Sequence, residues 1–299
     1  IIGALFLILK RLSISATWLL IYVWNPLIIV EFAGSGHSDI IGIFFMVFSI
    51  WLLLAGRLYW SNAALVFSFL TKFISALYLP VILYLKKKNR IVLVLMFIAL
   101  TALFYLPYAD AGERLFTGLK VYSSKWRFNA SIFEVIFRTV KSLLPDSVVV
   151  KYMIAPYGYA ANAETIATRG ADLALLLAKG IVAVLFIGWL VYYLKRLPRD
   201  LSREGSVWIF KFGLFVLGAF FLLNPTLQPW YVAWLMPLLV VAPNRAWILF
   251  TGLVGLSYWI LIDYTQLGVW QESTWVRLVE YVPFYLLLTY DAVRAKLQE

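Results

Sequence analysis

The chain has 299 residues, of which 63% are hydrophobic and 14% are charged, and its mean hydropathy is +0.87. Ordinary soluble domains are roughly half apolar and a quarter charged, so this composition excludes a soluble domain and indicates a polytopic membrane protein. The net charge of +11 is scattered over loops between apolar stretches, which favours anionic membrane lipids as partners and excludes a recognisable nucleic-acid-binding module. The chain has no cysteine, so it forms no disulfide or thiolate metal site.

Apolar stretches recur along nearly the whole sequence and predict an all-α bundle that forms a single transmembrane domain over residues 1–299. Because Lys and Arg favour the cytoplasmic side, their positions orient about nine to ten membrane segments. These segments cover residues 1–9, 13–30, 40–55, 61–85 (in two halves), 91–107, 171–194, 207–223, 235–241, 247–262 and 276–290. The polar residues 108–170 form the one sizeable extracytoplasmic loop region.

The chain begins within an apolar stretch, and no methionine, basic region or cleavage site precedes it. Residues 1–9 are typical of the end of a membrane span. We therefore expect the chain to be N-terminally truncated.

Residues 24–39 interrupt the apolar pattern with Glu31, His37 and Asp39 between two membrane segments. Ionisable groups at membrane depth are costly unless they line a wet or protein-filled cavity, so these side chains are candidates for a functional site. The alternative is a polar turn in which Asp39 caps the next helix and His37 has no function.

Residues 61–85 carry Lys72 in their middle and end in a basic run at residues 86–90. A single crossing would place that run on the extracytoplasmic side, against the positive-inside rule. Two half-helices that meet near Lys72 and return to the cytoplasmic side satisfy both observations, because broken helices line cavities. Extension of the lysine towards the membrane surface is the alternative.

Two further stretches combine polar and aromatic residues. In the predicted loop, Lys125 and Arg127 flank Trp126, a composition typical of an interfacial element that can also bind a phosphate. In the predicted turn at residues 224–234, Gln228 offers a neutral hydrogen-bonding group beside Trp230 and Tyr231. Simple location at the membrane surface is the alternative for both.

The sequence shows no phosphate-binding Gly-rich loop, no G-x-S-x-G motif and no internal repeat. One histidine is too little for a metal site. No cofactor is predicted, and the sequence leaves a divalent cation open.

Four stretches, in order, resemble motifs of the GT-C superfamily of membrane glycosyltransferases, and in particular of the bacterial mannosyltransferase-like glycosyltransferase family 87, the DUF2029 proteins. The residues that carry the likeness are Asn25-Pro26-Leu27 with Glu31 and Gly36-His37-Ser38-Asp39, Thr71-Lys72 with Pro80, Tyr122 with Trp126, Phe128 and Asn129, and Gln228-Pro229-Trp230-Tyr231 with Trp234 and Pro237. The resemblance implies a GT-C-like transmembrane bundle.

The resemblance also implies an inverting transfer of a hexose, most often mannose, from a polyprenyl-phosphate donor to a lipid or glycan acceptor. The reaction would take place at the extracytoplasmic face of a bacterial cytoplasmic membrane. A carboxylate would accept the hydroxyl proton, and cationic groups would stabilise the departing phosphate. Lys72 is the first candidate for that phosphate, and Lys125 and Arg127 are the second. The other expected substrate-binding residues are Glu31, His37, Asp39, Trp126, Asn129, Gln228, Trp230 and Tyr231.

The family is expected to carry its essential acidic residue in the first extracytoplasmic loop, and no residue of this chain matches that position. The catalytic base is therefore unknown, and residues 1–299 alone are expected to be inactive. Two alternatives stay open: a transporter or flippase for a lipid-linked or anionic substrate, and a non-catalytic remnant. An acidic extracytoplasmic residue upstream would favour the enzyme.

Overall fold

A computed structural model describes residues 1–297, with the side chain of Lys125 outside the described part. Within these residues the chain forms helices joined by short turns and no β-strand. The first third contains α1 (Ile2–Arg11), α2 (Leu20–Val23), α3 (Pro26–Ile28), α4 (Asp39–Leu54), α5 (Leu58–Thr71) and α6 (Leu79–Leu85), with 3₁₀ segments at Ala16–Leu19, Phe73–Tyr78 and Lys87–Asn89 and a π-helical segment at Ile29–Gly34.

The middle of the chain contains α7 (Arg90–Tyr105), α8 (Thr117–Lys125), α9 (Ile132–Leu143), α10 (Asp146–Val149) and α11 (Ala163–Arg196), with 3₁₀ segments at Leu106–Phe116 and Ala155–Tyr157 and a π-helical segment at Val150–Ile154. The last third contains α12 (Arg203–Leu223), α13 (Pro229–Val232), α14 (Met236–Val241), α15 (Arg245–Leu253), α16 (Trp259–Leu267) and α17 (Thr274–Leu297), with 3₁₀ segments at Ala233–Leu235 and Val254–Tyr258.

Among residues 1–297, four helical stretches are long and apolar enough to cross a membrane: Lys87–Ser124, Ala163–Arg196, Arg203–Leu223 and Arg245–Leu267. A fifth is possible if the pair Ala16–Val23 and Pro26–Gly34, bent by 54°, counts as one span. Shorter apolar helices lie at Asp39–Leu54, Leu58–Thr71, Phe73–Leu85 and Pro229–Val241. The structure thus agrees with an all-α membrane bundle, whereas the predicted nine to ten segments stay a prediction.

The predicted break at Lys72 is confirmed. Helix α5 ends at Thr71, and Lys72 adopts an extended conformation with φ −156° and ψ 126° before a 3₁₀ segment begins. Because Lys72 lies outside both helical segments, its side chain does not follow the helical repeat and points towards Asp39 at the start of α4. The return of the second half to the cytoplasmic side stays a prediction.

The loop region predicted at residues 108–170 is largely helical, because it contains α8, α9 and α10. Helix α11 begins at Ala163, ahead of the predicted crossing at residue 171. Asn162 explains the early start, since its side-chain oxygen accepts a hydrogen bond from the Thr165 N–H at 2.8 Å and caps the helix. The extracytoplasmic position of this region stays a prediction.

Helices α4 and α5 form an antiparallel hairpin through a short turn, and small polar side chains hold them together. The Ser49 hydroxyl donates to the Ser61 carbonyl at 2.7 Å, and the Ser61 hydroxyl donates to the Ser49 carbonyl at 2.8 Å. The Ser68 hydroxyl donates to the Gly42 carbonyl at 2.7 Å. Small residues allow the close approach on which helix association in membranes depends. The hairpin brings the start of α4 beside the end of α5.

We expect Gly42→Ala to destabilise the protein. A Cβ atom at Gly42 would lie 2.6 Å from Cη2 of the buried Trp234, so the packing must shift at a cost of roughly 1–3 kcal/mol. Gly188→Ala in α11 is the matched control, because a Cβ there meets nothing within 4 Å. Thermal unfolding in detergent measures both variants. Equal melting temperatures for the two variants would contradict the close packing at Gly42.

Cysteine labelling tests the predicted orientation. Ser35 and Lys88 are both exposed, and the chain has no other cysteine to interfere. Ser35→Cys should react with a membrane-impermeant maleimide in intact cells, whereas Lys88→Cys should react only after permeabilisation, because the basic run favours the cytoplasm. The opposite pattern would show that the bundle is inverted.

Candidate functional site

An ion pair forms where the α4–α5 hairpin opens. The Lys72 Nζ donates to both carboxylate oxygens of Asp39, at 2.8 and 3.0 Å, and the Trp234 Nε1–H donates to Asp39 Oδ1 at 2.8 Å. Asp39 is only 5% exposed. A buried carboxylate needs this kind of pairing and hydrogen bonding to offset its desolvation. Asp39 is the first residue of α4, and its carboxylate accepts these hydrogen bonds from Lys72 and Trp234.

Two tyrosines extend this polar cluster. The Lys72 Nζ lies 4.3 Å from the centre of the Tyr231 ring, a cation–π geometry. The Tyr231 hydroxyl lies 3.0 Å from the Tyr122 hydroxyl. The cluster therefore joins the hairpin, helix α8 and the turn that precedes α14. Tyr122 and Trp234 were part of the resemblance but were not among the expected substrate-binding residues.

A cavity of about 440 Å³ adjoins the cluster, and we call it the Lys72 cavity. Its polar lining includes Lys72, Tyr122, Asn224 and Tyr231, and the rest is mostly apolar. The apolar part consists of Leu70, Phe73, Ile74, Leu119, Phe220 and Phe221. The Lys72 side chain is 32% exposed, so it is accessible although it is paired. One end of the cavity thus suits an anionic or hydroxyl-bearing group, and the walls suit a hydrocarbon chain.

The second carboxylate of the 24–39 stretch is also held by neighbours. Tyr258 donates its hydroxyl to both oxygens of Glu31, at 2.9 and 3.0 Å, and His37 Nε2 lies 3.2 Å from Glu31 Oε2. The His37 ring stacks on Trp230 with 4.2 Å between ring centres. Glu31 is 1% exposed. His37 therefore has definite partners, and it connects Glu31 to residues 224–234, which we call the aromatic turn and which contain the short helix α13.

Local sequence explains how Glu31 and the aromatic turn are placed. Asn25 caps α3 by accepting from the Leu27 N–H at 3.0 Å, and Pro26 starts that helix, which bends the chain away from α2. Gln228, which is buried, precedes Pro229, and its carbonyl accepts from the Tyr231 N–H at 3.0 Å. Gln228 thereby orders the turn that carries Trp230 and Tyr231.

The predicted loop docks onto the same turn through backbone hydrogen bonds. The Phe128 N–H donates to the Pro225 carbonyl at 3.0 Å, and the Leu227 N–H donates to the Phe128 carbonyl at 2.8 Å. This pairing places the end of α8, with Tyr122, against Tyr231. Trp126 is exposed, and its ring centre lies 5.8 Å from that of Tyr122. The side chain of Lys125 lies outside the described part of the structure.

Arg127 and Asn129 belong to a different network and do not line the Lys72 cavity. Arg127 Nε lies 3.5 Å from Glu134 Oε2, and its guanidinium lies 4.1 Å from the centre of the Phe137 ring. The Asn129 N–H donates to Glu272 Oε2 at 2.9 Å. Burial raises the pKa of the Glu272 carboxyl, while the Asn129 N–H and a nearby arginine act in the opposite direction.

No group of three or more His, Cys, Asp or Glu side chains in residues 1–297 could hold a metal ion. Sequence reasoning missed Tyr258, the hydroxyl partner of Glu31. The sequence contained one signal for such a residue: a carboxylate within the membrane requires a hydrogen-bonding or charged partner. This requirement does not indicate where along the chain the partner lies.

Comparison with known proteins gives one finding. Residues 5–87 match the model of the MptA_B family, described as alpha-(1->6)-mannopyranosyltransferase, N-terminal domain. No curated protein and no solved structure matches the chain. The matched segment contains Glu31, His37, Asp39 and Lys72. The part of the site that these four residues form therefore lies in the segment that is similar to a mannosyltransferase family. Membership of glycosyltransferase family 87 stays a prediction.

We expect the Asp39–Lys72 pair to appear as a coupling energy. Asp39→Asn and Lys72→Met each leave one charge without its partner, so each should destabilise the protein by about 1–3 kcal/mol. The loss is smaller than for a fully buried ion pair because the Lys72 side chain is partly exposed. The double variant removes both charges, so its loss should be at least about 1 kcal/mol smaller than the sum of the single losses. Unfolding in mixed micelles measures the cycle. Additive losses would show that the two charges do not interact.

Proposed function

We propose that the protein is a membrane glycosyltransferase that moves mannose from a polyprenyl-phosphate donor to a hydroxyl of a lipid or glycan acceptor. The observation that carries this proposal is the Lys72 cavity, in which a partly exposed cation and two tyrosine hydroxyls stand at one end of an otherwise apolar space. The similarity of residues 5–87 to a mannosyltransferase family supports it.

In the proposed complex, the donor phosphate contacts Lys72 and the first isoprene units lie along the apolar wall. The acceptor hydroxyl attacks C1 of the mannosyl group and gives its proton to a general base, the bond between C1 and the phosphate oxygen breaks, and polyprenyl phosphate leaves with the electron pair. Lys72 then stabilises charge that gathers on the leaving group, which is how positioned cations accelerate such steps. The transfer inverts the configuration at C1.

The base that takes the hydroxyl proton is neither Asp39 nor Glu31 in this proposal. Each carboxylate is at most 5% exposed and has two partner side chains, Lys72 and Trp234 for Asp39, and Tyr258 and His37 for Glu31. A general base needs direct or water-mediated contact with the proton that it abstracts. We assign Asp39 the role of holding Lys72 in place and Glu31 the role of ordering His37 and Trp230.

The aromatic rings beside the cluster fit the sugar. Trp230 stacks on His37, and Tyr231 lies under Lys72 and at the cavity wall. Such rings offer flat apolar faces together with a polar edge, which suits a sugar ring that carries both C–H groups and hydroxyls. We place the mannosyl group between these rings and the ion pair, on the extracytoplasmic side.

Activity of the charge variants tests this function. We expect Lys72→Met to lower mannose transfer roughly 100-fold or more, on the scale of losing one charge-stabilising group. The assay follows radiolabelled mannose from polyprenyl-phosphate mannose into lipid or glycan products, using membranes that contain the protein expressed from its own gene.

The double variant separates a phosphate contact from simple pairing with Asp39. If Lys72 contacts the donor, the double variant Asp39→Asn/Lys72→Met should be as inactive as Lys72→Met. This should hold although the double variant is more stable than the summed destabilisation of the two single variants predicts. Recovery of transfer in the double variant would contradict the phosphate role. Movement of intact donor across the membrane without release of polyprenyl phosphate would instead indicate a transporter.

A further inference from the structure

A second cavity, of about 350 Å³, lies between α9 and α17, and we call it the α9–α17 groove. It is lined by Ser131, Glu134, Arg138, Arg277, Val282 and Tyr285, among others. Among the described residues it shares no lining side chain with the Lys72 cavity. The groove is therefore a separate site, and its ligand is independent of the proposed transferase activity.

The two helices run antiparallel along the groove. Glu134 of α9 faces Arg277 near the start of α17, with 3.9 Å between Oε1 and an Arg277 terminal nitrogen. The hydroxyl of Ser131, the residue just before α9, lies 2.9 Å from the hydroxyl of Tyr285, later in α17. At 1.5 Å per residue, Arg277 and Tyr285 are about 12 Å apart along the helix axis. The groove thus has one charged end and one end with hydroxyls and apolar side chains.

The charged end has positive charge in excess. Arg138 Nε donates to Glu134 Oε1 at 2.7 Å, and Arg277 Nε lies 3.8 Å from Glu272 Oε2. Two guanidinium groups, Arg138 and Arg277, line the groove together with one carboxylate, Glu134. Arg127, Glu272 and the fully buried Glu280 do not line it. The Arg138 side chain is 67% exposed, so its remaining N–H groups are available. Guanidinium groups bind phosphate oxygens through two parallel hydrogen bonds.

The other end is apolar and open to the surroundings. Val282 and Leu286 are exposed apolar side chains of α17. In the predicted orientation α17 runs inward from the extracytoplasmic side, so Arg277 lies at the membrane surface and Tyr285 lies deeper. The charged end is then at the depth of lipid headgroups, and the apolar end is at the depth of acyl chains.

We propose that the α9–α17 groove binds an anionic phospholipid of the outer leaflet, with its phosphate between Arg138 and Arg277 and one acyl chain along α17 towards Tyr285. Basic pockets between membrane helices bind anionic headgroups in this way. A phospholipid fits better than a polyprenyl phosphate because the groove is open sideways to bulk lipid, as the exposure of Val135 and Val282 shows.

Lipid binding is measured by native mass spectrometry of the purified protein, titrated with phosphatidylglycerol or phosphatidylcholine. We expect the protein to retain phosphatidylglycerol in preference to phosphatidylcholine. Arg138→Gln should weaken phosphatidylglycerol binding roughly tenfold, on the scale of one lost contact between a guanidinium and a phosphate. Val282→Trp should also weaken binding, because it fills the groove without changing the charge.

Lys141→Gln is the matched control, since it removes one exposed positive charge from the same helix outside the groove. It should bind phosphatidylglycerol like the parent protein, and the melting temperature of each variant reports that it is folded. Equal weakening by Lys141→Gln would show general charge attraction and overturn the proposal. Equal affinity for the two lipids, or displacement of phosphatidylglycerol by equimolar polyprenyl phosphate, would also overturn it.

Discussion

The contact between Lys72 and Asp39 is the constraint on which the arrangement of the site depends. A lysine and an aspartate inside an apolar bundle each carry a large desolvation cost, and each offsets the cost of the other only at hydrogen-bonding distance. The antiparallel α4–α5 hairpin provides that distance because it places the first residue of α4 beside the residue that follows α5. The third hydrogen bond to Asp39, from Trp234, then fixes the aromatic turn against the hairpin. Gly42 allows this, since no larger residue leaves room for the Trp234 ring.

Polar residues within an apolar sequence indicated several side chains that the structure brings close together. Glu31, His37, Asp39, Lys72, Trp230 and Tyr231 were all identified from the sequence, and the structure gathers them around two neighbouring carboxylates. Their pairing could not be predicted, because Asp39 is 33 residues from Lys72 and 195 from Trp234. Because this pairing was not visible in the sequence, a lipid phosphate was predicted to compensate the charge of Lys72. In the structure, Asp39 compensates it. A phosphate would therefore meet a lysine that is held in place and partly neutralised.

The loop and the span count were harder for a different physical reason. Arg127 and Asn129 have the composition of a phosphate-binding element, but their partners Glu134 and Glu272 come from elements whose packing the loop sequence does not reveal. Hydropathy identified the apolar segments, but it does not measure helix length. Helix α4 has 16 residues and extends about 24 Å, which is shorter than the hydrocarbon core of about 30 Å. Charge alternation and helix length therefore test different features, and the count of nine to ten segments stays a prediction.

The two cavities differ in how their cations are compensated, and this difference separates their proposed roles. At the Lys72 cavity one cation faces one carboxylate that is fully engaged, so the local charge is near zero and an added phosphate must share the lysine with Asp39. Such sharing suits a leaving group. The contact between Lys72 and the phosphate strengthens as negative charge gathers on the phosphate oxygen, and before that it contributes little to donor binding. At the α9–α17 groove two guanidinium groups and one carboxylate line the cavity and Arg138 is largely exposed, which suits a resident anion that stays bound. The distribution of paired and spare positive charge thus supports the proposed transfer chemistry at the first cavity and the proposed lipid binding at the second.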